Sequence, residues 1–187
     1  INISTDKAVR PTSILGISKR IVEIICQSYQ YRKEKKINIA TVRFGNVFGS
    51  AGSVVNLFLD RINNGENVQI TNKKVERFFM SINEACNLVI SASLLKKKFA
   101  TFVLEMGKPV KIYDLLKKII KLKQKKDKNF TIKIEEVGLH KGEKISEELT
   151  INNKVNKTAI KRILLVNEPK YSLNEVNLVI NKIKKNI

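Results

Sequence analysis

The sequence predicts an α/β fold with a largely parallel sheet. Short runs rich in β-branched residues alternate with stretches whose apolar residues recur at helical spacing, the order that strands and helices take in such folds. Of its 187 residues, 43% are hydrophobic and 28% charged, which suits a globular chain able to bury a core without staples. No internal repeat interrupts this reading.

Each element has its own signal. Residues 1–4 read as the end of a buried strand. Pro11 sits where a helix can begin, because the N–H it lacks has no partner in a first turn. From Ile14 to about Tyr29, the residues Ile14, Leu15, Ile21, Val22, Ile24 and Ile25 form a helical stripe. Residues 37–44 are β-branched and bounded by a Lys run and Gly45, as a strand would be. A Gly/Ser-rich loop at 45–53 leads into a helix at 54–62, with Gly65 as its stop. Short strands are expected at 68–71 and 78–80, a helix at 83–95, a strand at 101–106 and an amphipathic helix at 112–123. Residues 131–137 alternate like a half-buried strand. A short helix at 143–149, a strand at 162–166 and a terminal helix at 173–183 complete the series. Residues 155–159 and the Lys-rich stretch before Phe130 read as solvated loops.

The formal net charge of +19 invites a nucleic-acid reading, which the distribution of charge opposes. The cations are mostly Lys, spread over helix faces and loops and clustered at 32–36, 121–128 and 182–185. No Arg or aromatic residues stand in the pattern of a reading motif, so no specific nucleic-acid partner is expected. Charge of this kind governs solubility and loose association, including weak, salt-sensitive attraction to an anionic membrane surface. Cys26 and Cys86 each lie in an apolar run, which predicts buried, reduced thiols and a reducing compartment. No apolar run approaches the roughly 20 residues that span a bilayer, and no signal peptide is evident. The sequence opens on Ile1 at a strand end with no strand in front to pair with, so a fragment is expected.

Candidate chemistry begins at Ser4-Thr5-Asp6-Lys7-Ala8, where a strand ends and a helix follows. In open α/β sheets ligands bind beyond the carboxyl ends of strands, and an acid beside an amine lets each tune the other's proton affinity. Leu15 and Lys19 are four apart and so share a helix face.

With Pro11-Thr12-Ser13-Ile14-Leu15-Gly16-Ile17-Ser18-Lys19-Arg20, the string resembles the extended short-chain dehydrogenase/reductase superfamily. Within it, Ser-Thr-Asp-Lys-Ala followed by Pro-Thr resembles the CapD-like polysaccharide-biosynthesis nucleotide-sugar 4,6-dehydratases. Further matches follow in order. They are Val42-Arg43-Phe44-Gly45-Asn46-Val47-Phe48-Gly49-Ser50-Ala51-Gly52-Ser53-Val54-Val55, Glu76-Arg77-Phe78-Phe79-Met80-Ser81-Ile82, Glu105-Met106-Gly107-Lys108-Pro109-Val110-Lys111-Ile112 and Gly138-Leu139-His140-Lys141-Gly142-Glu143-Lys144. The resemblance runs from about Ile3 to Leu149.

What it implies is specific. The fold would be the C-terminal part of a Rossmann-like doubly wound sheet plus a small α/β substrate-binding lobe. Residues 1–100 would form the C-terminal half of the catalytic domain, with a substrate loop at 45–53. Residues 101–187 would be mainly substrate-binding lobe and C-terminal helix, the two parts interleaving along the chain. The activity would be NAD-dependent dehydration of a UDP-N-acetylhexosamine, most simply UDP-N-acetylglucosamine, to a 4-keto-6-deoxy sugar. Thr5, Asp6 and Lys7 would be catalytic, with Asp6 the acid that aids water loss and Lys7 the base at C5. Lys19 would hold the cofactor ribose, and Asn46, Arg77, His140 and Glu143 would bind the nucleotide-sugar. Leu15 stands where most of the superfamily has a Tyr and the large membrane-anchored branch commonly has Met; a leucine cannot move a proton. His140 stands where the family has an Arg, and Lys141 where it has Pro.

The family's Gly-rich dinucleotide fingerprint has no counterpart here. The expectation is therefore an isolated chain without turnover. Its competitor is a truncated, non-catalytic remnant that keeps a nucleotide-sugar-binding lobe. The resemblance further implies a homo-oligomer, and a cytoplasmic location that includes the inner face of the membrane if a preceding segment attaches there.

Overall fold

The computed structural model describes residues 1–29, 38–50, 52–95, 97–151, 154–169 and 171–185. In chain order the elements are β1 (Asn2–Thr5), a 3-10 turn (Asp6–Ala8), α1 (Ile14–Ser28), β2 (Thr41–Phe44), β3 (Asn46–Phe48), α2 (Val54–Asn63), β4 (Val68–Ile70), β5 (Glu76–Arg77), β6 (Phe79–Ser81), α3 (Ile82–Ser93), β7 (Thr101–Leu104), β8 (Val110–Lys111), α4 (Ile112–Lys126), β9 (Ile134–Glu136), β10 (Val155–Lys157), β11 (Ile163–Val166) and α5 (Leu173–Lys185). The α/β prediction holds. Several boundaries move: the first long strand begins at Thr41, its expected residue 37 lying outside the described residues, and the 45–53 loop contains β3. Residues 155–157 form an edge strand where a loop was expected.

The expected helix at 143–149 is absent. Gly138 and Gly142 both take positive φ, and the Glu143 N–H closes a turn onto the His140 carbonyl at 3.0 Å. That backbone path suits a tight loop, not a helix. Cys86 is exposed and Cys26 half-buried, contrary to two buried thiols. Burial, reinforced by the Glu23 charge, pushes the Cys26 thiol up.

The chain divides into two compact units that interleave along the sequence. One comprises Ile1–Phe44, Cys86–Glu105 and Glu148–Ile187; the other, Gly45–Ala85 and Met106–Glu147. The chain leaves the first unit directly after β2 and returns to it within α3.

The first unit holds a five-stranded sheet in the order β1-β2-β7-β11-β10. The first three strands are parallel, as alternating strands and helices require; β11 and β10 then run antiparallel. Ile3 lies opposite Val42 and Thr5 opposite Phe44, so the carboxyl ends of β1 and β2 are level. Val42, Phe102, Val103, Leu104 and Ile163 form its interior.

That interior also contains charge. The Arg43 side chain on β2 is fully buried; its Nε and Nη2 donate to the two Glu23 oxygens at 2.7 and 2.5 Å, and its Nη1 to Glu168 Oε1 at 2.5 Å. Arg20 donates to both Glu23 and Glu168, at 3.0 and 2.6 Å. The Ser4 hydroxyl donates to Glu23 Oε1 at 2.5 Å, and Gln27 Nε2 to Thr101 Oγ1 at 3.1 Å. Two arginines thus face two glutamates, with β1, β2, α1, β7 and the segment after β11 all attached. Hydrogen-bonded this fully, buried charges are tolerated, and the fork of Arg43 suits two-point pairing with a carboxylate.

The second unit packs α2 and α4 around Phe58, Ile62, Val68, Ile70, Phe79 and Leu116. Its strands form three short pairs, β3-β6, β4-β9 and β5-β8. Ser53 caps α2, its hydroxyl accepting from the Val55 N–H.

Glu168 sets a pH dependence. Burial alone would raise its carboxyl, but hydrogen bonds and charge from Arg43 and Arg20 outweigh burial and hold it below its ordinary value of 4.5. A depressed carboxyl contributes stability that is complete above the unfolded-state value and is lost as pH falls through the lower folded value. Urea-unfolding free energy should therefore fall as the solution is acidified below about pH 4.5. Glu168→Gln should flatten that acid limb and cost about 3–5 kcal/mol at neutral pH, because Arg43 and Arg20 stay buried with less counter-charge. An unchanged acid limb would remove Glu168 as its source.

Candidate functional site

The 3-10 turn at the carboxyl end of β1 places Thr5, Asp6 and Lys7 in one hydrogen-bonded cluster. The Thr5 hydroxyl donates to Asp6 Oδ1 at 2.9 Å, and Lys7 Nζ donates to the same oxygen at 3.0 Å. The Asp6 side chain is fully buried, and its second oxygen, Oδ2, has no hydrogen-bond partner. A buried carboxylate oxygen left open is costly unless a proton or a ligand meets it. Lys7 remains about a quarter exposed, so the amine reaches solvent while the acid does not.

Close packing locks this turn in place. Gly16, in the first turn of α1, stands so near it that an added Cβ would lie 2.3 Å from the Lys7 carbonyl oxygen and 3.1 Å from Pro11 Cβ. The Ser13 hydroxyl accepts the Gly16 N–H at 3.2 Å and fixes the start of the helix. Leu15 is 55% exposed on that first turn. One turn on, Lys19 Nζ donates to the Ile3 carbonyl at 3.1 Å, which holds its amine against β1.

Asn46, Arg77, His140 and Glu143 all belong to the second unit and line one cavity of about 350 Å³. Val54, Leu57 and Phe58 of α2 and Ile70, Val75 and Ile112 supply apolar walls. Arg77 is buried: its Nη1 donates to the carbonyls of Glu76 and Ile145 at 2.8 and 3.2 Å, and its Nη2 to Glu143 Oε1 at 3.2 Å. Thr71 Oγ1 also donates to Glu143 Oε1 at 2.9 Å, and the His140 N–H to Glu143 Oε2 at 3.2 Å. Glu143 therefore gathers an arginine, a hydroxyl and a loop. Asn46 sits beside them through β3, its N–H on the Phe78 carbonyl, and its Oδ1 is buried without a hydrogen-bond partner. Apolar walls with a few converging polar groups are the ordinary make-up of a small-molecule site.

The sequence reading named four of these lining residues but not Thr71, Arg61 or Gln69. Arg61 had a signal. It follows Val54, Leu57 and Phe58 at helical spacing, so it belongs to the face of α2 that lines the cavity. Among the described residues, no group of three or more His, Cys, Asp or Glu could hold a metal ion, and no helix is long and apolar enough to cross a membrane.

The family model for polysaccharide biosynthesis proteins matches residues 1–168. The chain belongs to that family. Over all 187 residues it is 41% identical to the capsular polysaccharide biosynthesis protein CapD of Staphylococcus aureus, of which the match covers 31%. It is 43% identical over 82% of its length to a probable polysaccharide biosynthesis protein, EpsC, of Bacillus subtilis, covering 25% of that protein. The chain thus spans about a third or less of these two relatives. Among solved structures it resembles Pen from Bacillus thuringiensis, with a TM-score of 0.79 and 30% identity, over 96% of this chain and 60% of the other. It also shares the fold of dTDP-glucose 4,6-dehydratase from Bacillus anthracis in complex with NAD, with a TM-score of 0.63 at 16% identity, over 98% of this chain and 61% of that one. The family's Rossmann-type fold is therefore established for this chain.

Gly16→Ala tests how firmly the Asp6–Ala8 turn is held. The new methyl must displace a backbone carbonyl, so the expected loss is about 1–3 kcal/mol of stability. It should be read by thermal melts, together with altered backbone amide shifts at Asp6–Ala8. A neutral melt with unmoved shifts would show that helix and turn are not in rigid contact.

Proposed function

We propose that this chain supplies the catalytic turn and the nucleotide-sugar cavity of a 4,6-dehydratase acting on a UDP-N-acetylglucosamine-type substrate in surface-polysaccharide synthesis. The observation that carries the proposal is the cavity. Asn46, Arg77, His140 and Glu143 come from three separate stretches of sequence and line one space, and Asn46 offers it a buried oxygen with no partner. The guanidinium of Arg77 pairs with diphosphate oxygens, assisted by the positive partial charge at the start of α2. Asn46 and Glu143 accept sugar or ribose hydroxyls, and His140 contributes one donor.

Lys19 fits a nicotinamide ribose. Among the described residues only the Ile3 carbonyl takes one of its three N–H donors, which leaves others for ribose hydroxyls. NAD, when bound, supplies the acceptor for hydride from C4 of the sugar and the donor that returns it to C6. This chain's residues move the protons. Once C4 is a carbonyl, C5 is acidic, and Lys7 takes its proton. Asp6 gives a proton to the C6 hydroxyl, which leaves as water. The proton Asp6 gives is the one it took from the C4 hydroxyl as hydride left, and Lys7 then returns its proton to C5, so both side chains end as they began. Thr5 keeps Asp6 oriented through its 2.9 Å hydrogen bond. Leu15 takes no part in proton transfer, which leaves this work to the Asp6–Lys7 pair.

In the full-length protein, Asp6→Asn should reduce dehydration roughly 10²–10⁴-fold, the usual worth of a positioned acid. Leu15→Met, at a half-exposed site where volume is nearly conserved, should leave turnover almost unchanged and cost less than about 1.5 kcal/mol of stability. Formation of the 4-keto sugar from UDP-N-acetylglucosamine is the readout, with melts to confirm folding. Near-full activity in a folded Asp6→Asn protein would remove Asp6 from the mechanism.

A further inference from the structure

The cavity of the second unit has two polar ends, and the nucleotide-sugar reading uses only one. Thr71, Arg77 and Glu143 meet just beyond the carboxyl end of β4, with Asn46 next to them through β3 and β6. Arg61 stands at the opposite end. It lies in the last turn of α2, and its Nη1 donates to the Asn67 carbonyl at 3.2 Å, just before β4 begins. Two elements measure the separation. From Val54 to Arg61 the helix rises roughly 10 Å, and from Asn67 to Thr71 an extended chain covers roughly 13 Å.

The two arginines differ electrically. Arg77 is paired with Glu143, whereas Arg61 has no carboxylate within ion-pairing distance among the described residues. Their places on α2 differ as well. The start of that helix, with its positive partial charge, lies towards the Arg77 end and favours phosphate there. Arg61 lies at the helix C-terminus, where the partial charge is negative and a second phosphate is disfavoured. An uncharged acceptor suits that end better, and a guanidinium can only donate.

We infer that Arg61 is a specificity-determining residue that reads the base of the nucleotide, donating to a ring carbonyl and so favouring a pyrimidine-dione over cytosine. Uracil presents a carbonyl at C4 where cytosine presents an amino group, which is a donor facing a donor. A site that leaves such groups unpaired rejects the wrong ligand strongly. This inference rests on the reading of the cavity as a nucleotide-sugar site.

The test measures UDP and CDP binding to the whole 187-residue chain by calorimetry, with Arg61→Gln and Arg77→Gln variants alongside. The unmodified chain should prefer UDP. Arg61→Gln should weaken UDP about tenfold, the worth of one hydrogen bond to a charged group, while CDP changes little. Arg77→Gln should weaken both ligands alike. Equal loss of UDP and CDP in Arg61→Gln, with a shallower salt dependence, would make Arg61 a phosphate cation and overturn the inference while leaving the cavity assignment intact. Unchanged UDP affinity in Arg61→Gln would reduce Arg61 to a cap on the helix dipole, with the same consequence. Failure of the unmodified chain to bind UDP at all, while its melt shows it folded, would overturn the cavity assignment itself and this inference with it.

Discussion

The first unit depends on four buried charges. Arg43 and Arg20 face Glu23 and Glu168 with almost no exposure to water, and β1, β2 and α1, which adjoin the Asp6–Ala8 turn, each have a residue in contact with them. Isolated, any one of the four would be intolerable in that interior. Together they cancel, and the geometry that lets them cancel also fixes β1 against β2 and α1 against both. Ser4, the residue just before Thr5, donates into the same cluster. The Asp6–Ala8 turn is thus tied to the network through its immediate neighbour. Oriented acids and bases need such rigid support, since small displacements of reacting groups cost large factors in rate.

Contact with α1 supports the turn from its other side. Ser4 anchors the strand that precedes it, and Gly16 lets the helix press onto the Lys7 backbone. Between these supports Asp6 is held in a dry setting with one oxygen satisfied by Thr5 and Lys7 and the other open. Asn46 shows the same feature in the second unit: a buried oxygen without a partner, in a molecule whose other buried polar groups are mostly matched. Open acceptors of this kind are what a binding site presents before its ligand arrives.

Much of this was legible in the sequence. Helical stripes and β-branched runs located the main elements because burial on one face leaves a period in the chain. The Asp6–Lys7 turn and the four cavity residues were found through motif resemblance; composition alone would have treated them as polar loops. The ion network was missed although it left a trace. Glu23 interrupts Ile21-Val22 and Ile24-Ile25, and Arg43 interrupts a β-branched strand; a lone charge within an apolar run needs an opposite charge nearby. Glu168 gave no such sign, since its partners lie far away in sequence. The expected helix at 143–149 failed because a tertiary demand, the pull of Thr71 and Arg77 on Glu143, together with two positive-φ glycines, outweighed local propensity.

The Arg43–Glu168 pair joins residues 125 apart in the chain. At about 5–20 residues per second of synthesis, Arg43 leaves the ribosome roughly 6–25 s before its counter-charge exists. For about the first half of that interval the sheet lacks β7, and for most of it β10, β11 and the group that neutralises its core. The nascent first unit cannot close, whereas the segments of the second unit, made in between, have no such wait for Glu168. This order of events makes the unit that bears the Asp6–Lys7 turn the late-folding one. It is also the one most exposed to chaperones and proteases while the chain is being made.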